Sequence, residues 1–166
     1  MIQIVKKLKF PALFVLIMMV AVSCDLSKKY EKEEKQQIQQ YLDNHPDLTF
    51  VLKPSGLYYL DVVVGTGPLA VTHDTAYVLY TGKYLDGTVF GTNIGVDTLI
   101  YPVNEGNLLP GFEEGVTYMH EGGKATLLIP SYLGYGNSGY NFPAYTPSLF
   151  DIELVKLIPG PGARRK

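Results

Sequence analysis

Three histidines are the first place to look for metal or acid–base chemistry in this 166-residue chain, and their spacing argues against it. His45, His73 and His120 stand 28 and 47 residues apart, with neither a zincin pattern nor an i,i+4 pair, so no metal centre is expected. There is no Gly-x-Ser-x-Gly elbow to present a serine nucleophile. Gly65-x-Gly67 lacks the third glycine, the Lys-Ser/Thr pair and the following helix of a phosphate loop, and no cofactor is expected. What remains in the second half is apolar. Aromatic residues and glycines recur in blocks: Val78-Leu79-Tyr80-Thr81-Gly82, Asp86-Gly87-Thr88-Val89-Phe90, Leu108-Leu109-Pro110-Gly111-Phe112-Glu113-Glu114-Gly115, Ile129-Pro130-Ser131-Tyr132-Leu133-Gly134-Tyr135-Gly136 and Leu149-Phe150-Asp151-Ile152-Glu153-Leu154.

The elements that must position these blocks are mostly strands. Leu57 to Val64 lies between Ser55-Gly56 and Gly65-Thr66-Gly67-Pro68, and Thr75 to Thr81 places Ala76, Val78 and Tyr80 on one face. Asp86-Gly87 turns a hairpin between Lys83-Tyr84-Leu85 and Thr88-Val89-Phe90. Lys124 to Ile129 is a strand stopped by Pro130, and Leu149 to Ile158 alternates Phe150, Ile152 and Leu154 against Asp151 and Glu153. One short helix is predicted from Pro110 to about Met119, with proline near its first position and two glutamates in its first turn. Several strands around one short helix make an α+β antiparallel fold.

The N-terminal part reads differently. Lys6, Lys7 and Lys9 precede a 13-residue apolar run, Phe10 to Val22, which at ~1.5 Å per residue spans ~20 Å of a ~30 Å hydrocarbon core and suits a secretory leader rather than a membrane anchor. Ala21-Val22-Ser23-Cys24 resembles a bacterial lipobox, which implies cleavage before Cys24 and attachment of diacylglycerol, with palmitate as an expected acyl chain. Without residues 1–23 the chain has 11 basic and 16 acidic residues, a net charge of −5, and does not invite nucleic acid. Asp25 to Asp43 suits a solvated helix ended by Asn44-His45-Pro46, with Tyr30, Ile38, Tyr41 and Leu42 as sparse apolar positions. It reads as a spacer, with a dimerising helix as the other reading. The expected organisation is therefore a leader over 1–23, a lipidated helical spacer over 24–54, a globular domain over 55–158 and a disordered basic tail over 159–166.

In their order and spacing the blocks of the second half resemble the FKBP-type peptidyl-prolyl isomerases, from about Ser55 to Ile158. The resemblance implies a half-barrel, an antiparallel sheet of about five strands wrapped around one short helix. It also implies a proline pocket walled by Tyr80, Phe90, Leu109, Phe112, Tyr135 and Phe150, with the Leu109 N–H and the Tyr135 hydroxyl as donors to a substrate carbonyl. Leu99, Tyr101 and Leu108 would adjoin the pocket, and Tyr140 and Phe142 would lie in the loop over it. Such residues suit the reaction. Rotation about X–Pro faces a barrier of ~18–20 kcal/mol, and the twisted amide is less dipolar than the planar one, so a water-poor aromatic pocket favours it without acid, base or nucleophile. Phe112 stands where many members have tryptophan, Leu99 where an aromatic is usual, and Gly91 where an aspartate usually bonds the hydroxyl of the Tyr80 equivalent. The resemblance thus implies an isomerase acting on proline-containing protein or peptide clients in the cell envelope, open to macrolide inhibitors. It would be monomeric and tethered to a membrane through Cys24, facing the periplasm or the surface. The alternative is an FKBP-like binding module with degenerate catalysis.

Overall fold

The computed structural model describes residues 9–137 and 142–161, with side chains from Leu26 onward. Two compact units divide the chain between Gln37 and Ile38. A single helix, α1 (Lys9–Asn44), runs through the stretch that contains Cys24. In its solvated part Lys29 and Glu33 approach to 3.8 Å across one turn. Asn44 ends the helix as expected from Pro46, which disfavours helical backbone at His45, and the His45 ring stacks on Tyr41 at 4.2 Å. Among the described residues no helix is long and apolar enough to cross a membrane.

The second unit is built on one antiparallel sheet of β1 (Val51–Leu52), β2 (Tyr58–Val63), β3 (Thr75–Lys83), β4 (Val89–Thr92), β5 (Leu99–Pro102), β6 (Lys124–Ile129) and β7 (Ser148–Ile158). Its order is β1-β2-β6-β7-β3-β4, with β5 also on β3. The count is seven rather than about five because β1 adds a two-residue edge and because β4 and β5 share the outer side of β3, one after the other. β7 alternates buried Ile152 and Leu154 against half-exposed Asp151 and Glu153. At Val155 a bulge shifts the pairing from Val78↔Leu154 to Tyr77↔Lys156, so Leu157 and not Lys156 returns to the core.

One face of the sheet wraps helix α2 (Pro110–Thr117), which buries Phe112 and Val116. Close contact with β6 depends on two glycines. A Cβ on Gly115 would lie 2.3 Å from Leu127, and one on Gly111 would lie 2.7 Å from Ile129. The resulting core joins Leu57, Val78, Val103, Val116, Leu127, Ile129 and Leu154, each fully buried and each worth about 1.5–3 kcal/mol of apolar transfer. A second, smaller core sits on Leu128 and Leu149, where Ile38 is buried and Tyr41, Leu42, Phe50, Tyr58 and Leu85 pack around it.

Candidate functional site

The aromatic residues singled out from the sequence converge where β3, β4, β7 and α2 meet. Phe150 on β7 lies edge-on to Phe112 on α2, with ring centroids 5.4 Å apart at 87°. Tyr80 on β3 meets Phe112 at 6.0 Å and 86° and Phe150 at 6.0 Å. Phe90 reaches the same cluster through a bulge: Gly82 pairs with Gly91 and Lys83 with Val89, which leaves Phe90 as the extra residue of β4. Its ring is edge-on to Phe150 at 5.6 Å and to Tyr135 at 5.8 Å. These edge-to-face contacts match the quadrupoles of the rings and hold the wall in one arrangement.

Phe112 and Phe150 are buried as a floor, whereas Tyr80 and Phe90 are half-buried and Tyr135 is 37% exposed, as befits a rim. Tyr101 on β5 is also buried and meets Phe112 at 6.3 Å. Its hydroxyl has no partner among the described residues, and burial, with Glu113 nearby, pushes the phenol well above its ordinary pKa. Leu99, Leu108 and Leu109 pack on the same core from its margin. Phe142 is buried against the rim, stacked on Tyr135 at 4.0 Å and edge-on to Phe90 at 4.9 Å. Tyr140 lies outside the described residues, as does the side chain of Cys24.

Backbone geometry presents the expected donors. Leu109 caps α2 with extended backbone (φ −59°, ψ 133°), and its N–H has no acceptor among the described residues. The loop before it is fixed by buried Glu113, whose carboxylate accepts the N–H groups of Gly106, Asn107 and Leu108 at 2.9, 2.7 and 2.9 Å. The Tyr135 hydroxyl likewise has no partner among the described residues, and burial, with Tyr80 and Tyr84 beside it, holds its pKa above 10.0. Among the described residues no group of three or more His, Cys, Asp or Glu could hold a metal ion. The assembled residues offer apolar walls and neutral donors, a site that can bind and desolvate but cannot supply a nucleophile.

Residues 67–155 match the family of FKBP-type peptidyl-prolyl cis-trans isomerases, which is more than half of the chain. The chain belongs to that family. It is 36% identical over 112 residues to FK506-binding protein 4 of Dictyostelium discoideum, covering 66% of this chain and 30% of that protein. It is 35% identical over 107 residues to the FKBP-type 22 kDa peptidyl-prolyl cis-trans isomerase of Escherichia coli K12, covering 63% and 51%. The crystal structure of FkpA from Escherichia coli superposes with a TM-score of 0.69 at 26% identity, over 90% of this chain and 72% of that one. The chain therefore spans about a third to a half of the length of these two curated relatives.

Two features of this FKBP-type site were missed from the sequence. Tyr84 stacks on the other side of Phe142 at 5.1 Å and meets Phe90 edge-on at 5.2 Å, which makes a three-ring stack of Tyr84, Phe142 and Tyr135. Lys83-Tyr84-Leu85 reads as plain hairpin strand, and nothing local marks Tyr84. Asn93 is the other, inside the loop-like run Gly91-Thr92-Asn93-Ile94. Asp97, the first acid after Gly91 in sequence, bonds the adjacent Thr98 N–H at 2.7 Å, and the Tyr80 hydroxyl has no partner among the described residues.

Proposed function

We propose that this protein catalyses cis–trans rotation of X–Pro bonds in folding envelope proteins, by desolvation in the bowl of Tyr80, Phe90, Phe112, Tyr135 and Phe150. The observation that carries this reading is the bowl itself: rings packed edge-on to one another, a Leu109 N–H and a Tyr135 hydroxyl at its margin without partners among the described residues, and no carboxylate, imidazole or ammonium among the bowl residues. An amide seated there loses dipole as it twists, so an apolar wall favours the transition state over the planar ground state, while the donors hold the carbonyl. Clients are proline-containing segments with an apolar residue before the proline. By analogy with the relative named for binding FK506, macrolides should compete for the bowl. The test follows the cis–trans exchange of a Leu-Pro peptide by NMR. Faster exchange on adding the protein supports the reading, and an unchanged rate overturns it.

A second reading, an FKBP-like module that binds without turnover, is favoured by one observation: Gly91 leaves the Tyr80 hydroxyl without the acid that usually orients it. In the same experiment it predicts peptide shifts with no added exchange.

The proposed setting comes from the N-terminal sequence. Residues 1–23 act as a leader, Cys24 carries the lipid, and residues 24–54 hold the 55–158 domain away from the membrane. The product is a monomer in the cell envelope, facing the periplasm or the surface. Supporting this are the lysines ahead of the apolar run and the position of the single cysteine directly after Ser23. Labelled palmitate should enter the protein and be lost in Cys24→Ser; incorporation in that variant would contradict the assignment.

A further inference from the structure

The outer edge of β3 changes partner in the middle of its nine residues. β5 covers Thr75 to Val78 and β4 covers Thr81 to Lys83, so Leu79 and Tyr80 have no strand opposite them on that side. The side chain of Asn93 fills the seam. Its Oδ1 accepts the Tyr80 N–H at 2.7 Å, and its Nδ2 donates to the Val78 carbonyl at 2.9 Å. The Asn93 N–H then donates to the Tyr80 carbonyl at 3.3 Å, and the Thr92 hydroxyl donates to the same oxygen at 2.9 Å. Both backbone polar groups of Tyr80 on this edge are thus held by the last residue of β4 and the one that follows it.

Only a carboxamide of this length makes the match. One group must accept and one must donate, a few ångströms apart, and that requirement also fixes which way the amide is turned. Aspartate would set an oxygen against the Val78 carbonyl, and alanine would leave an N–H and a C=O unpaired in a half-buried seam. Tyr80 depends on this support because its hydroxyl has no partner among the described residues and Gly91 has no side chain to offer it. Among the described residues its ring is placed by its backbone, by edge-on packing on Phe112 and by a tilted contact with Phe150. We infer that Asn93 is a positioning residue for the bowl, an amide plug that holds the Tyr80 wall where β3 passes from β5 to β4; its catalytic consequence rests on the isomerase reading above.

The test compares full-length wild type with Asn93→Ala, Asn93→Asp and, as a control, Leu157→Ala, which removes a buried side chain at the far end of β7. Two things are measured below the melting transition of every variant: kcat and KM for a Leu-Pro peptide, and NOEs from the Tyr80 ring to Phe112 and Phe150. In both Asn93 variants kcat should fall about tenfold or more, with KM within about twofold, since a loosened wall still takes an apolar proline but favours its twisted form less. The Tyr80 NOEs should weaken in the Asn93 variants and persist in Leu157→Ala, which should keep its kcat even where its loss of stability is as large. Unchanged kcat in Asn93→Ala, beside an active wild type, overturns the inference and leaves the isomerase reading intact. An inactive wild type overturns that reading, and the NOEs then decide the positioning role: retained in Asn93→Ala, they refute it.

Discussion

Gly82 and Gly91 face each other across the β3–β4 pair, and they are glycines for opposite reasons. A Cβ on Gly82 would lie 2.5 Å from the Phe90 ring and 3.0 Å from the Phe150 ring, so the rings occupy the space where a side chain would go. A Cβ on Gly91 would meet nothing within 4 Å. Cross-strand partners direct their side chains to the same face, and here that is the face of the bowl. One glycine lets the wall close; the other leaves open the position from which an acid could reach Tyr80.

Gly91→Asp should therefore be accommodated without repacking and should raise kcat/KM on a Leu-Pro peptide by about threefold to tenfold, the worth of one oriented hydrogen bond. An equal or lower rate in a folded variant would contradict this account of the departure. Gly82→Ala should cost about 1–3 kcal/mol in urea unfolding through overpacking against Phe90 and Phe150.

Glu113 sits at the other end of the site. Three backbone N–H groups converge on its buried carboxylate, and the chain they fix leads into Leu109. Glu113→Gln should lose about 2–3 kcal/mol, because an amide cannot accept on both arms and hydrogen bonds to a charge are the stronger ones. Urea midpoints would show it, and a shift below about 0.5 kcal/mol would contradict the role.

Tyr101 carries a buried hydroxyl without a partner among the described residues. An unsatisfied buried polar group costs about 1–3 kcal/mol, so Tyr101→Phe should be stabilising, with Tm raised by about 2–4 °C for each kcal/mol recovered. A fall in Tm of that size would show that the hydroxyl is satisfied.

The pH dependence follows from the tyrosines. Burial holds the Tyr135 phenol above 10.0 and raises Tyr59 and Tyr101 as well, so each stays neutral in the folded protein past the pH at which the unfolded chain ionises. Below pH ~10 all three are protonated in both states and contribute no slope; above it the unfolded state releases protons first, and stability falls. None of the three histidines belongs to the ring cluster: His45 stacks on Tyr41, His73 pairs with Glu105 and His120 bonds the Gly67 carbonyl. Turnover should be flat between pH ~6 and ~9, and a step near pH ~6.5 would point to an imidazole that this account leaves out.

What could be read from the sequence was whatever repeats locally. The alternation of β7 as far as Leu154, Pro110 at the head of α2 and the ordered aromatic blocks each carry their own signal, and the sheet, the helix and the ring cluster follow from them. The bulge at Val155 breaks that periodicity and returns Leu157 to the core, which no fixed period foresees. Ile38, Tyr41 and Leu42 are too sparse to announce a packed face, because the apolar surface they meet belongs to Leu128 and Leu149, far away in sequence. Tyr84 and Asn93 escaped for the same reason. Their importance lies in Phe142 and in the seam beside Tyr80, and neither partner is visible from a hairpin strand or a Gly-Thr-Asn loop.

The central claim is that apolar walls and neutral donors alone carry the catalysis, and the most direct test is the NMR exchange rate of a Leu-Pro peptide with wild type, Phe112→Leu and Tyr135→Phe. The account predicts faster exchange with wild type, and a loss of about tenfold in each variant as the floor recedes or the donor disappears. Wild type that shifts the peptide resonances without hastening exchange, or variants that catalyse as well as wild type, would contradict it.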